Sequence, residues 1–520
     1  MLHRDDRSIQ AGLLAAVVAA VVCAIFAWLG VVNGDEGWFA LSARLVSQGR
    51  LPYRDFAFTQ GPAYAYVLAP LVRLAPSIYT TRALSVFLTA VSVGLLIATA
   101  YRVGGKWAAR ASGLALLATI PALPYWLSIT KTYALSCLFL SAILFTLTSK
   151  IRLTVRYPLA AALAVGLMET RTTGFALTIL LIAALLVLSP NANARASVIV
   201  TSAVVAFPFF VLVFVGWTGA QWGLFDYHQL GATGSSIGRV FPRTFDGARA
   251  WPGPTLLGIG ALIVVFASRD LRARLRRRLD LAAYAAGIII FVALHETTSH
   301  FFAEEYLAPV IAPVVVASCV ILVRAASARR VEGAGRRLTF ALGAVVAVGI
   351  VVTALTGGHS DYLGTPGWGG DPAALSSITK CVRRNSGPHA VVFALSIPEV
   401  VVEAERPAAP GATLGEFSYE DVSTTRAREL KILNKERLGN LFLNRPPKLA
   451  VLTVDDIFET HKAGRFSKRS VTNMALYQAF LSYRPVCSAT LVRPTFLNNH
   501  KVKVTVYART DKPCDTPFCS

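Results

Sequence analysis

Asn33-Gly34-Asp35-Glu36-Gly37-Trp38-Phe39, running on to Gly49-Arg50-Leu51-Pro52-Tyr53-Arg54-Asp55-Phe56, is the stretch on which the reading of this chain turns. It begins where a long apolar run, 11–32, ends. Two adjacent acids at the mouth of such a run are expensive to hold there unless they are used. Asp35 is placed to cap a helix whose N-terminus favours its charge. Trp38, Leu41 and Leu45 recur at i, i+3 and i+7, one face of a helix resting on a membrane interface. Gly49 fits the stop of that helix. Beyond Gln60-Gly61-Pro62 the chain enters another apolar helix.

The surroundings agree with a membrane setting. The chain has 520 residues, is 54% hydrophobic and 15% charged, and has a mean hydropathy of +0.54. Ordinary soluble domains are about 25% charged, so disorder is excluded and a purely soluble enzyme is disfavoured. Further apolar runs fall at 84–101, 111–124, 133–147, 158–168, 175–188, 198–215, 256–267, 281–294, 306–323 and 340–355. With the first run they predict a mainly α, polytopic module of about eleven spans. The first run exceeds a signal core and shows no clear cleavage site, so it reads as a retained span.

Lys and Arg number 51 against 29 Asp and Glu, a net charge of +22. The basic tracts are arranged by side. Arg102–Arg110, Lys150–Arg156, Arg269–Arg278 and Arg324–Arg337 fall in alternate connections and, with Arg4 and Arg7, read as cytoplasmic. Residues 34–82, the turns holding Lys131 and Arg171, 217–252, 295–304 and everything after 357 then face outward. These tracts carry no interleaved aromatics and no recognisable module, so nucleic acid is not an expected partner. The expected location is the cell inner (plasma) membrane, multi-pass, with the bilayer itself as a partner.

Composition changes near Leu355. The chain divides into a transmembrane part, 1–356, and an outward α/β domain, 357–520. Strands are expected at 389–397, 448–454, 486–492 and 502–507, and helices at 371–384 and 424–441. Adjacent strands could bring Cys381 and Cys487 into an oxidised pair, and unpaired buried thiols are the other reading. Cys514 and Cys519 could close a separate small loop. Cys23, Cys137 and Cys319 lie within spans and read as packing residues.

Asp35-Glu36-Gly37-Trp38-Phe39 followed by Leu51-Pro52-Tyr53-Arg54-Asp55-Phe56 resembles the GT-C superfamily of polyprenyl-phosphate-sugar-dependent glycosyltransferases. The likeness is to the bacterial branch akin to protein O-mannosyltransferases, lipid A aminoarabinose transferases and core galacturonosyltransferases. Glu305-Tyr306-Leu307-Ala308-Pro309 is similar to a late-span motif of the group. The resemblance spans 1–355 and implies a polyprenyl-phosphate-linked sugar donor and a glycan, glycolipid or protein acceptor at the outer face. It implies that Asp35 is the general base, with Glu36 orienting the acceptor or binding a metal.

Such a transfer needs a base for the acceptor hydroxyl and cations for the departing phosphate. Lys131 and Arg171 sit on the outward side against the charge bias, which invites a functional reading; snorkelling, or a local Arg171–Glu169 pair, is the other. Arg54 and Arg243 are further phosphate candidates, although an Arg next to an Asp is commonly a structural pair. His295-Glu296-Thr297-Thr298-Ser299-His300 is not a zinc-protease helix, because i, i+5 turns the second ring about 140° away. If the turn is non-helical, His295, Glu296, His300, Glu305 and Tyr306 could line an acceptor or metal pocket, with a divalent ion left open; a hydrogen-bonded interhelical hairpin is the other reading. The loop 217–251 reads as a connection or a mobile lid. Two other classes remain at this point, a transporter or flippase of lipid-linked sugars and a non-catalytic envelope-assembly protein.

Overall fold

The computed structural model describes residues 2–229, 250–269, 272–273, 278–298, 304–328, 337, 362, 370–453, 481–494 and 499–510. Of residues 2–5, 229, 295–298, 304, 328, 370, 493–494 and 499–500 it describes the backbone alone. Helix α1, Leu2–Leu29, packs along α4, Ile78–Leu117. Between them lie α2, Gly34–Ser47, and α3, Ala63–Leu74. There follow α5, Ala122–Ser128, α6, Thr132–Leu147, α7, Leu153–Thr170, α8, Gly174–Leu188, and α9, Ala192–Val215. The later helices are α10, Pro252–Ala267, α11, Leu279–Thr298, and α12, Ala308–Ala328.

The expected count of about eleven spans is not confirmed among the described residues. Among the described residues four helical segments are long and apolar enough to cross a membrane: Asp6–Leu29, Ile78–Leu117, Ala192–Val215 and Glu305–Ser327. The pair α5 and α6, bent by 103°, makes a fifth if taken as one span. The physical reason is length. Several runs counted in the sequence form apolar helices shorter than the ~20 residues a bilayer core requires, among them α8, α10 and Leu279–Leu294. The runs 84–101 and 111–124 begin in a single helix, α4, interrupted at Gly105, where φ is +79°. The run 340–355 lies outside the described residues.

The outer surface of these helices is apolar in the manner of a lipid-facing belt. Leu13, Leu14, Val17 and Val21 on α1, and Phe207, Phe210 and Phe214 on α9, are all exposed. Contiguous exposed apolar surface on this scale needs a partner phase.

The C-terminal part is a four-stranded sheet in the order β1-β2-β4-β3, with β1 Val392–Ala394, β2 Leu449–Thr453, β3 Tyr483–Pro494 and β4 Asn499–Arg509. β1 and β2 are parallel, and the other pairs are antiparallel. Helix α13, Gly370–Asn385, covers the sheet and is joined to β3 by the Cys381–Cys487 disulfide, Cα atoms 6.6 Å apart. Cys514 and Cys519 lie outside the described residues. The helix expected over 424–441 is two, Thr424–Glu429 and Lys435–Asn444, because the chain turns through Lys431 at φ +60° and restarts at the Asn434 cap.

α2 does not rest on an exposed interface. Trp38, Leu41 and Leu45 are buried in a core shared with α3, the loop residues Tyr53, Phe56 and Phe58, and Val402, Leu414 and Ile432 of the C-terminal part. A 1, 4, 8 apolar face buries equally well against protein or lipid, so the periodicity alone could not distinguish them. The consequence is that α2 is fixed from both sides, which sets its N-terminal end rigidly.

Candidate active site

Asp35 is not the cap of α2. Asn33 is, accepting the Asp35 amide at 3.0 Å, while the Glu36 carboxylate accepts the Asn33 amide at 3.0 Å to complete a capping box. With those amides satisfied, the Asp35 side chain at the second helical position points elsewhere. One oxygen accepts the Trp38 indole N–H at 3.1 Å, and the other lies 2.6 Å from Lys131 Nζ. About a quarter of the Asp35 side chain stays open to solvent.

Lys131 stands in the break between α5 and α6, in extended conformation. Its ammonium is 3% exposed and spans two carboxylates, Asp35 and, at 2.9 Å, Glu305. It also lies 5.6 Å and 5.3 Å from the Trp126 and Tyr133 ring centroids. Glu305, in the 3-10 turn Glu304–Leu307 that leads into α12, also accepts the Tyr133 hydroxyl at 3.0 Å. Arg171 follows the end of α7 and is 5% exposed. Its guanidinium lies 4.8 Å from the Tyr133 centroid and 5.5 Å from that of Tyr306. Five residues singled out in the sequence, Asp35, Lys131, Arg171, Glu305 and Tyr306, therefore converge from four separate segments.

Glu36 requires a correction. It was expected to orient an acceptor or bind a metal, but it is 1% exposed and saturated. Arg82 donates to both its oxygens, at 2.6 and 2.8 Å, and the Thr130 amide donates at 2.9 Å. Arg82, itself fully buried, also donates to the carbonyls of Ala27, Gly30 and Val31 at the end of α1. Those are carbonyls a helix end leaves without partners. Glu36 and Arg82 thus clamp the end of α1, the start of α2 and the residue before Lys131, holding Asp35 and Lys131 within reach of each other.

Arg54 is committed elsewhere, donating to both Asp55 oxygens at 2.8 and 2.9 Å on an exposed loop. Arg243 and His300 lie outside the described residues, as do the side chains of His295 and Glu296. Among the described residues no group of three or more His, Cys, Asp or Glu is placed to hold a metal ion. Arg82 and Tyr133 were not picked out from the sequence, and Trp38 was read as a face residue and part of the motif rather than as a partner of Asp35. Arg82 carried a signal, an arginine near the start of a long apolar helix. Trp38 and Tyr133 looked like any interfacial aromatics.

Asp226-Tyr227-His228 follows a π-helical turn, Trp222–Asp226. His228 Nε2 is 3.0 Å from the Thr59 carbonyl, and Tyr227 packs edge-on to Phe417 of the C-terminal part. Burial, with Asp35 next in effect, holds the Tyr227 phenol well above its ordinary range. This segment therefore borders the Asp35 side of the cluster.

The fold is similar to that of ArnT from Cupriavidus metallidurans, solved in the apo state and bound to undecaprenyl phosphate. The TM-score is 0.60 in each case, at 17% identity over 95% of this chain and 97% of that one. It is also similar to the oligosaccharyltransferase of Archaeoglobus fulgidus in its apo form, with a TM-score of 0.50 at 12% identity over 97% of this chain and 75% of that one. The chain shares the fold of these structures, and the match with ArnT, over 95% of this chain, extends beyond 1–355 into the C-terminal part. No protein-family model matches the sequence, and no curated protein matches it.

Proposed function

We propose that the chain is an integral membrane glycosyltransferase that moves a sugar from a polyprenyl-phosphate donor to an envelope glycan, glycolipid or protein at the outer face of the plasma membrane. The observation that carries this reading is the Asp35–Lys131–Glu305 bridge with Arg171 beside it, a base candidate and two buried cations in one cluster. The GT-C fold and the undecaprenyl phosphate held by ArnT support it.

In this reading the donor phosphate approaches Lys131 and Arg171, and the Lys131 ammonium transfers part of its hydrogen bonding from Asp35 to the phosphate. Asp35 is then free to take the acceptor hydroxyl proton. The acceptor oxygen bonds to the anomeric carbon as the bond from that carbon to the phosphate oxygen breaks, and that electron pair leaves on the lipid phosphate. Lys131 and Arg171 offset the charge that develops there. Glu305 holds Lys131 in place throughout, and Glu36 acts at one remove, as a positioning residue. The C-terminal domain lies on the outward side in this scheme.

The test of the donor site is retention of lipid phosphate. Protein purified with added undecaprenyl phosphate should keep it in native mass spectrometry, and a Lys131→Gln, Arg171→Gln double variant of equal stability should lose it. Equal retention by the two proteins would remove both cations from the donor site.

A further inference from the structure

A cavity of 470 Å³ lies between the second half of α2 and the C-terminal part. Its α2 wall is formed by Leu41, Arg44, Leu45 and Gln48. At 1.5 Å per residue, Arg44 and Gln48 are about 14 to 20 Å along the helix from Asp35. The cavity is therefore separate from the cluster around Lys131.

Its lining is one-sided in charge. Arg44, Arg50, Arg406, Lys431 and Arg437 meet there, and the carboxylate among them, Asp55, is already bound to Arg54. Arg44 donates to the carbonyls of Val401 and Arg406 at 2.8 and 3.0 Å. Arg437 donates to those of Ala427 and Ile432. Carbonyls orient a guanidinium without neutralising it. Burial draws the Arg44 guanidinium below its usual range, Glu405 opposes this, and the Arg406 charge adds to it. Arg437 is lowered in the same way, by burial and then by Arg428. Arg44, Arg406, Lys431 and Arg437 are half-buried and Arg50 is exposed, and gathering like charges around one cavity favours an anion that completes the group.

The backbone makes a second, independent point. Lys431 adopts φ +60°, a conformation that favours glycine. That residue closes the helix Thr424–Glu429, the Ile432 amide donating to the Ala427 carbonyl at 3.0 Å, and the turn sets Lys431 on the cavity wall.

We infer that this cavity binds a phosphate-bearing ligand, its phosphate met by Arg44, Arg50, Lys431 and Arg437. The source is an anionic lipid headgroup or a soluble phosphate ester. Guanidinium forks suit a tetrahedral oxyanion approached from several directions. Leu41 and Phe56 supply an apolar wall for the carbon body of the ligand. Nothing in this inference depends on the transferase reading.

The test is calorimetric titration of the purified full-length chain with inorganic pyrophosphate. Saturable binding is expected, weakened about fivefold or more in Arg50→Gln and in Lys431→Gly. Lys431→Gly also relieves the left-handed strain, so its melting temperature should hold or rise, separating lost binding from lost fold. The absence of saturable binding would overturn the inference. So would binding that both pocket variants leave unchanged and Lys131→Gln abolishes, since the anion would then sit at the other cluster. Repeating the titration in phosphatidylcholine nanodiscs with and without phosphatidic acid distinguishes the sources. Competition by phosphatidic acid marks a lipid headgroup, and indifference to it marks a soluble ester.

Discussion

Lys131 Nζ lies 2.6 Å from Asp35 Oδ2, tying the start of α2 to the break between α5 and α6. While that contact stands, Asp35 serves as an ion-pair partner. It becomes a free base when the ammonium is drawn toward another anion. In the proposed reaction the same contact would make proton acceptance by Asp35 depend on the arrival of the donor.

Lys131→Gln and Arg171→Gln should both lower turnover by ~10²-fold, the range seen on losing one group that stabilises developing charge. They should differ in rescue. Arg171→Lys keeps charge but loses the planar face set against Tyr133 and Tyr306, so it should recover only part of the loss. Steady-state assays over a range of donor concentrations check this, and full recovery in Arg171→Lys would make the stacking incidental.

Glu36→Gln should act on the fold and Asp35→Asn should not. Removing one partner of a buried ion pair costs about 3–5 kcal/mol, because the other charge remains without compensation. The amide at 36 also cannot accept from Arg82, Asn33 and Thr130 together. Melting temperatures of the two variants in the same detergent check this, and an unchanged value for Glu36→Gln would end its role as a clamp.

The sequence showed the site more clearly than its framework. That Asp35, Lys131 and Arg171 come together was legible in part, because charge at the end of an apolar run is costly and that cost is written in residue type. The role of Glu36 was not legible, because it is decided by Arg82, 46 positions away, and no spacing rule links the two. The count of about eleven spans is not confirmed among the described residues, because several apolar runs form helices shorter than a bilayer core requires and a run alone does not show how far its helix extends. The strands of the C-terminal sheet were visible as β-branched runs, whereas the order β1-β2-β4-β3 depends on long-range pairing.

Replacing Cys381 or Cys487 by alanine should destabilise the C-terminal part. The bridge closes a loop with a sequence separation of 106 and should contribute about 2–5 kcal/mol. Non-reducing peptide mapping should recover the two cysteines in one linked pair, and thermal melting should shift down in the variants. Separate, alkylatable thiols in the native protein would contradict this.

Glu403 gives a pH dependence of known sign. It accepts the Ile78 amide at 2.7 Å and the Thr379 hydroxyl at 3.1 Å, and burial is the leading cause that raises its pKa above the ordinary glutamate value. The folded state therefore binds this proton more tightly than the unfolded state. Its contribution to stability is complete below the unfolded pKa, about 4.3, and is lost as pH rises through the folded value. The melting temperature of Glu403→Gln relative to the parent should rise across that window. A difference that is flat in pH would show that Glu403 is not the titrating group.

The central claim is that Asp35 removes the acceptor proton in a sugar transfer from a lipid phosphate. The most direct measurement is turnover by purified, folded Asp35→Asn with a matched polyprenyl-phosphate-sugar donor and acceptor, beside the parent protein. Asparagine keeps the size and the hydrogen bond from Trp38 but cannot take up a proton. The account predicts a fall of ~10²-fold or more at unchanged melting temperature. Parental turnover in Asp35→Asn would contradict it.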